Sequence, residues 1–157
     1  MVKKILFVCL GNICRSPAAE GVFKKKIKER DLENFFEVDS AGTGGWHVGN
    51  LADPRMRKTA LSRGIELTSR SRKIEESDLY EFDYILVMDK DNLHAVQSLV
   101  QNESHSVTSK IKLILSYSKN SQLDEVPDPY YGGQNGFDKV LDLLDDVMDG
   151  LIDSLMD

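Results

Sequence analysis

Two short stretches hold the side chains able to do covalent chemistry. The first is Cys9-Leu10-Gly11-Asn12-Ile13-Cys14-Arg15-Ser16, a thiol followed six positions later by a guanidinium. The second centres on Asp128, in Val126-Pro127-Asp128-Pro129-Tyr130-Tyr131-Gly132-Gly133. A loop that curls around successive backbone N–H groups makes an anion cradle, and a helix N-terminus behind it adds partial positive charge. Gly11 permits the tight path and Asn12 tolerates a left-handed conformation. Arg15 offers a planar donor fork suited to phosphoryl oxygens. A thiol at the head of such a loop is stabilised as the thiolate, with Ser16 in reach as a hydrogen-bond donor. The chemistry implied is attack of sulfur on a phosphorus whose oxygens are already held. The loop lacks a Gly-Lys-Ser/Thr ending, so it is not a nucleotide P-loop. Cleaving a phosphate ester also requires a proton for the leaving oxygen. Asp128 stands between two prolines that pin its backbone, beside two tyrosines fit to wall a cleft.

The flanking pattern says which elements carry these loops. Ile5-Leu6-Phe7-Val8 is a continuous apolar run, as in a strand buried on both faces. Ser16-Pro17 reads as N-cap and first position of a helix, with Ala19, Val22, Phe23 and Ile27 on its apolar side. Strands are also expected at 36–41, 84–88 and 111–115, all buried. Helices are expected from Asp53 to about Arg63, from Asn92 to Val100, and through a last segment whose stripe runs from Phe137 to Leu155. The aspartates of that last segment read as its solvated face, and the lysines and arginines between Arg55 and Lys73 as another, with contact to acidic flanks of a substrate as the alternative. Residues 116–134 form a long connection of the sort that carries function. Strands alternating with helices predict one α/β domain over residues 1–157, a four-stranded parallel sheet with helices on both faces. Ligands then bind at the carboxyl ends of the strands.

Composition narrows the partners. The 157 residues carry 20 basic and 26 acidic side chains, a net charge of −6, which argues against nucleic acid as a partner. No apolar run is long enough to cross a membrane. Two cysteines without an export signal point to reduced thiols and a cytoplasmic location. Cys9, Cys14, His47, His94 and His105 offer no zinc-ligand spacing.

Val8-Cys9-Leu10-Gly11-Asn12-Ile13-Cys14-Arg15-Ser16-Pro17, Asp39-Ser40-Ala41-Gly42-Thr43 and Asp128-Pro129-Tyr130-Tyr131-Gly132 closely resemble low-molecular-weight protein tyrosine phosphatases, in order and in spacing. The resemblance runs nearly end to end. It implies a doubly wound, flavodoxin-like fold and a metal-free, two-step hydrolysis through a cysteinyl-phosphate. Cys9 would be the nucleophile, Arg15 and the amides of residues 10–16 the phosphate binders, and Asp128 the acid and then the base. Asn12 and Ser40 match a hydrogen-bonded pair that stiffens the loop, and Asp89 an acid near the arginine. Ile13, Trp46, His47, Tyr130 and Tyr131 match the walls of a slot for a flat ring. Ser69 stands where many members carry a histidine of the supporting network. The partners implied are phosphotyrosine proteins and inorganic phosphate, and the tyrosine pair leaves a monomer or a weak homodimer open.

Three other readings compete. A protein-arginine phosphatase on this scaffold tends to carry threonine where this chain has Ile13. An arsenate reductase needs a further cysteine pair that the chain lacks. A non-catalytic phosphate-binding module would not require Cys9, Arg15 and Asp128 together. Cys14, five positions after Cys9 around the same curl, is expected to form a reversible protective disulfide with it.

Overall fold

A computed structural model describes residues 2–101, 107, 109–119, 122–130 and 132–157. Four strands, β1 (Lys3–Cys9), β2 (Phe36–Gly42), β3 (Tyr84–Val87) and β4 (Lys110–Leu113), form one parallel sheet in the order β2-β1-β3-β4. The helices are α1 (Arg15–Glu29), α2 (Pro54–Leu61), α3 (Asp78–Glu81), α4 (Lys90–Gln101) and α5 (Gln134–Met156). Side chains alternate across a strand. Ile5, Phe7 and Leu86 therefore pack with α1, α2 and α5 on one face. Leu6, Val8, Ile85 and Val87 pack with α3 and α4 on the other. The doubly wound α/β architecture is the one the sequence predicts.

The connections leaving β1 and β3 diverge to opposite faces at adjacent strands, which opens a crevice at their carboxyl ends. The Cys9–Arg15 loop leaves β1 there, and Met88-Asp89 leaves β3 beside it.

Several boundaries differ from expectation. The continuous burial expected of every strand holds for β1, which has neighbours on both sides, and for most of β3. β4 is an edge strand whose exposed positions include Lys110 and Lys112. It stops at Leu113 because Ile114 and Leu115 turn into a short 3-10 segment, Ile114–Tyr117. β2 lies at the other edge and is half covered. α2 ends two residues earlier than expected, and Gly64 follows with φ +76°. α5 buries its whole stripe from Phe137 to Leu155. Its acidic side is not simply solvated: Asp145 and Asp149 meet Lys26, Asp153 meets Arg30, and Asp138 and Asp142 meet Arg63. Among the described residues no helix is long and apolar enough to cross a membrane.

Candidate active site

β1 ends at Cys9 and α1 starts at Arg15, so five residues must reverse the chain. Asn12 makes the turn with φ +56°, a left-handed conformation that asparagine adopts more readily than most residues. The loop's carbonyls are drawn outward. Those of Cys9 and Leu10 accept from the N–H groups of Thr43 and Gly44, each at 2.9 Å, and that of Ile13 from Asp53 N at 2.8 Å. The Gly11 carbonyl accepts from the Ser71 hydroxyl at 3.0 Å. Gly42 lets β2 approach this closely, since a Cβ there would stand 2.8 Å from the Leu10 oxygen.

Asn12 is fully used. Its Nδ2 donates to Ser16 Oγ at 2.7 Å and to Ser40 Oγ at 3.0 Å, and its Oδ1 accepts from Arg72 N at 3.0 Å. Ser40 Oγ donates in turn to Glu20 Oε1 at 2.7 Å. The expected Asn12–Ser40 pair is therefore the middle of a longer chain. Ser16 Oγ lies 3.1 Å from Cys9 Sγ and 3.4 Å from the Ala41 carbonyl. Asn12 already donates to the Ser16 oxygen, which frees the hydroxyl proton for a thiolate at Cys9.

The expectation that Ser16 caps the first helix is not met. The N-cap is Cys14, without a side-chain cap bond, and Arg15 is the first helical residue. Ser16 cannot cap because its hydroxyl is committed inward to Cys9, Asn12 and Ala41.

Arg15 is almost wholly buried, and its Nη1 donates to Asp89 Oδ2 at 2.6 Å and to the Val126 carbonyl at 3.0 Å. Its Nη2 lies 3.6 Å from Asp128 Oδ2. Burial works against the Arg15 charge, but Cys9, Asp89 and Asp128 outweigh it and hold the guanidinium above its ordinary value. Asp89 also accepts from Asn92 N at 2.8 Å, so one carboxylate both caps α4 and aims the arginine. Burial pushes the Cys14 thiol far above the usual range, and the charges of Asp53, Cys9 and Asp128 push it further.

These groups meet in a cleft of about 310 Å³ lined by Cys9, Leu10, Gly11, Ile13, Cys14, Arg15, Trp46, His47, Asp128 and Tyr130. Asn12, Ser16 and Ser40 are buried behind its floor, and Asp89 stands beside Arg15. Trp46 is 71% exposed, so it forms a rim rather than an enclosed wall. The His47 and Tyr130 rings face each other with centroids 6.3 Å apart. Tyr131 and His105 lie outside the described residues. Two and three residues after Ser69, the Ser71 hydroxyl donates to the Gly11 carbonyl and Arg72 N donates to Asn12 Oδ1.

Sequence reasoning passed over Glu20, Ser71, Arg72 and the Asp53–Arg55 pair. Glu20 had a signal, since it falls one helical turn after Ser16 on the inward side of α1. The cluster from Arg55 to Lys73, read as a solvated face, contains three arginines held by carboxylates. Arg55 binds Asp53, Arg63 binds α5, and Arg72 binds Asp39 and Asp78.

Comparison with known proteins agrees with this geometry. Residues 4–157 match the family model described as low molecular weight phosphotyrosine protein phosphatase. A putative low molecular weight protein-tyrosine-phosphatase of Synechocystis is 45% identical over 152 residues, 97% of this chain and 96% of that protein. A crystal structure of a protein tyrosine phosphatase from Entamoeba histolytica, with Hepes in its active site, superposes with a TM-score of 0.90. It is 46% identical and covers 98% of this chain and 97% of its own. The crystal structure of a Drosophila arginine phosphatase superposes with a TM-score of 0.93 at 32% identity, covering 98% of each chain. A loop from Cys9 to Ser16 held by Asn12, a buried Arg15 and a match over nearly the full length lead to one conclusion: the chain belongs to the low molecular weight phosphotyrosine protein phosphatase family, a family of hydrolases.

Proposed function

We propose that this protein hydrolyses phosphotyrosine in proteins through a covalent cysteinyl-phosphate. The observation that carries the reading is that Cys9 and Arg15, from one loop, and Asp128, from a segment far along the chain, face one cleft. With the loop carbonyls drawn outward, the N–H groups of residues 10–16 are left for the phosphoryl oxygens, and Arg15 adds its fork. In the first step the Cys9 sulfur forms a bond to phosphorus. The phosphorus–oxygen bond to the ring breaks, and Asp128 gives the departing phenolate a proton. In the second step Asp128 takes a proton from water, whose oxygen bonds to phosphorus as the sulfur–phosphorus bond breaks. Inorganic phosphate leaves, and Cys9 is regenerated.

The cleft suits a flat ring. Ile13, His47 and Tyr130 line the same cleft as the Cys9 sulfur, which supports a substrate with an apolar ring and an arm longer than that of serine. Both thiols are free, which fits action in the reducing cytoplasm. Replacement of Cys9 tests the covalent step. Cys9→Ser should abolish turnover while vanadate still binds, because the loop and Arg15 remain. Turnover by that variant would refute the mechanism.

A second reading, hydrolysis of phosphoarginine, is favoured by the close superposition on the Drosophila arginine phosphatase. Ile13 argues for the aromatic substrate. Comparable kcat/KM on phosphoarginine and phosphotyrosine peptides would overturn that preference.

A further inference from the structure

Asp128 sits on a segment with little regular structure, yet leaving-group protonation requires its carboxyl to be placed within a fraction of an ångström. One end of the segment is tied to the β3 exit: Val126 N donates to the Met88 carbonyl at 2.8 Å, and Lys90 N to Glu125 Oε2 at 2.8 Å. The other end is held by a residue outside the cleft. Arg55, in the first turn of α2, donates from Nη2 to the Tyr130 carbonyl at 3.0 Å. The same guanidinium forks onto Asp53, with Nε 3.1 Å from Oδ1 and Nη2 2.9 Å from Oδ2. Asp53 in turn donates its backbone N–H to the Ile13 carbonyl of the cysteine loop at 2.8 Å.

The path Ile13–Asp53–Arg55–Tyr130 thus spans from the loop that holds phosphate to the loop that holds the acid. Tyr130 N closes it by donating to Asp128 Oδ1 at 3.0 Å. The Arg55 guanidinium carbon also lies 5.4 Å from the Tyr130 ring centroid and 4.7 Å from that of Phe137, which fixes its plane between the two segments. Asp53 is buried while Arg55 is half exposed, so the pair is anchored at the carboxylate and reaches outward with the guanidinium.

Resting on the phosphatase reading above, we propose that Arg55 is a positioning residue that sets Asp128 at the height of the leaving oxygen. Its planar fork satisfies Asp53 and Tyr130 at once, which a lysine ammonium cannot reproduce in the same plane. Arg55 does not line the cleft, so it acts through the residues it holds: Tyr130, and with it Asp128, on one side, and Asp53 with the Ile13 carbonyl on the other.

A double-mutant cycle on the full chain tests this, with free phosphotyrosine and 4-nitrophenyl phosphate as substrates. Arg55→Ala should lower kcat/KM on phosphotyrosine, which reports the step that expels the leaving group, about 10- to 100-fold, the usual effect of a small misplacement of a proton donor. The loss on 4-nitrophenyl phosphate should be under about threefold, because that leaving group needs little protonation. Vanadate affinity should stay within about twofold, and Arg55→Lys should recover part of the loss. In an Asp128→Asn background, Arg55→Ala should cost less than about twofold further, since both changes remove one function. A melting curve for each variant reports folding independently. Equal losses on both substrates, or full additivity with Asp128→Asn, would overturn the role. Should Asp128→Asn alone show no leaving-group dependence, the acid assignment itself fails, and the proposal fails with it for a reason distinguishable from a defect in Arg55.

Discussion

Asn12 Nδ2 and Ser40 Oγ lie 3.0 Å apart, and that bond joins the cysteine loop to the second strand at a point where both residues are about 2% exposed. A buried amide with every donor and acceptor used holds a loop more firmly than the same amide in water. Asn12→Ala leaves the hydroxyls of Ser16 and Ser40 and the Arg72 N–H short of a partner. It should destabilise the fold by about 1–3 kcal/mol in denaturant melts and weaken vanadate binding. Asn12→Gly separates the causes: it relieves the φ of +56° but restores no hydrogen bond. If glycine restored full vanadate affinity, backbone shape and not the network would be holding the loop.

Asp128 should be distinguishable from the other carboxylates by its dependence on the leaving group. Asp128→Asn should lower kcat/KM on phosphotyrosine, which reports expulsion of the leaving group, by ~10²–10⁴, the usual worth of a positioned acid, and act less on an activated aryl phosphate. Equal losses on the two would assign the role elsewhere.

Gly42 carries a steric prediction. A methyl group at that position meets the Leu10 oxygen at 2.8 Å and Asn12 N at 3.1 Å, both backbone atoms of the loop. Gly42→Ala should destabilise by roughly 1–3 kcal/mol and lower vanadate affinity, because the loop must move outward to admit it. An unchanged melting temperature with unchanged affinity would show that the loop yields freely.

Cys14 bears on oxidative protection. Peroxide converts the Cys9 thiolate to a sulfenic acid with release of hydroxide. Attack by the Cys14 sulfur would then form a disulfide and expel water. The attacking species is the thiolate, and burial with the neighbouring charges of Asp53 and Asp128, which remain after Cys9 is oxidised, holds the Cys14 pKa far above neutrality. A raised pKa means that the thiolate fraction is small at pH 7 and grows about tenfold for each pH unit. Bridge formation, followed by the linked Cys9–Cys14 peptide in mass spectrometry, should therefore be slow at pH 7 and accelerate toward pH 9. Recovery by dithiothreitol should improve in parallel and be lost in Cys14→Ser. Bridging that is fast at pH 7 and indifferent to pH would contradict this account of Cys14.

Much of the site is legible in the sequence because it is local. Cys9, Gly11, Asn12 and Arg15 lie within seven residues, and the apolar run before them and the helical spacing after them dictate a strand-loop-helix. The amphipathic period of α5 likewise predicts its buried stripe residue by residue, since helix geometry alone decides which side chains share a face. Asp128 could be picked out from the prolines on either side of it. Which strands lie at the edges was not legible, because edge position follows from the order β2-β1-β3-β4 and not from strand composition. Nor was the true helix start, where Ser16 has the right type for a cap but is taken by Cys9 and Asn12. The supports reach farther. Arg72 meets Asn12 across 60 residues and Arg55 meets Tyr130 across 75. An arginine on a charged surface and an arginine that ties two loops together have the same local sequence. Only the packing of α2 against the acid segment, and of residues 71–74 against β2, decides which of them hold the site.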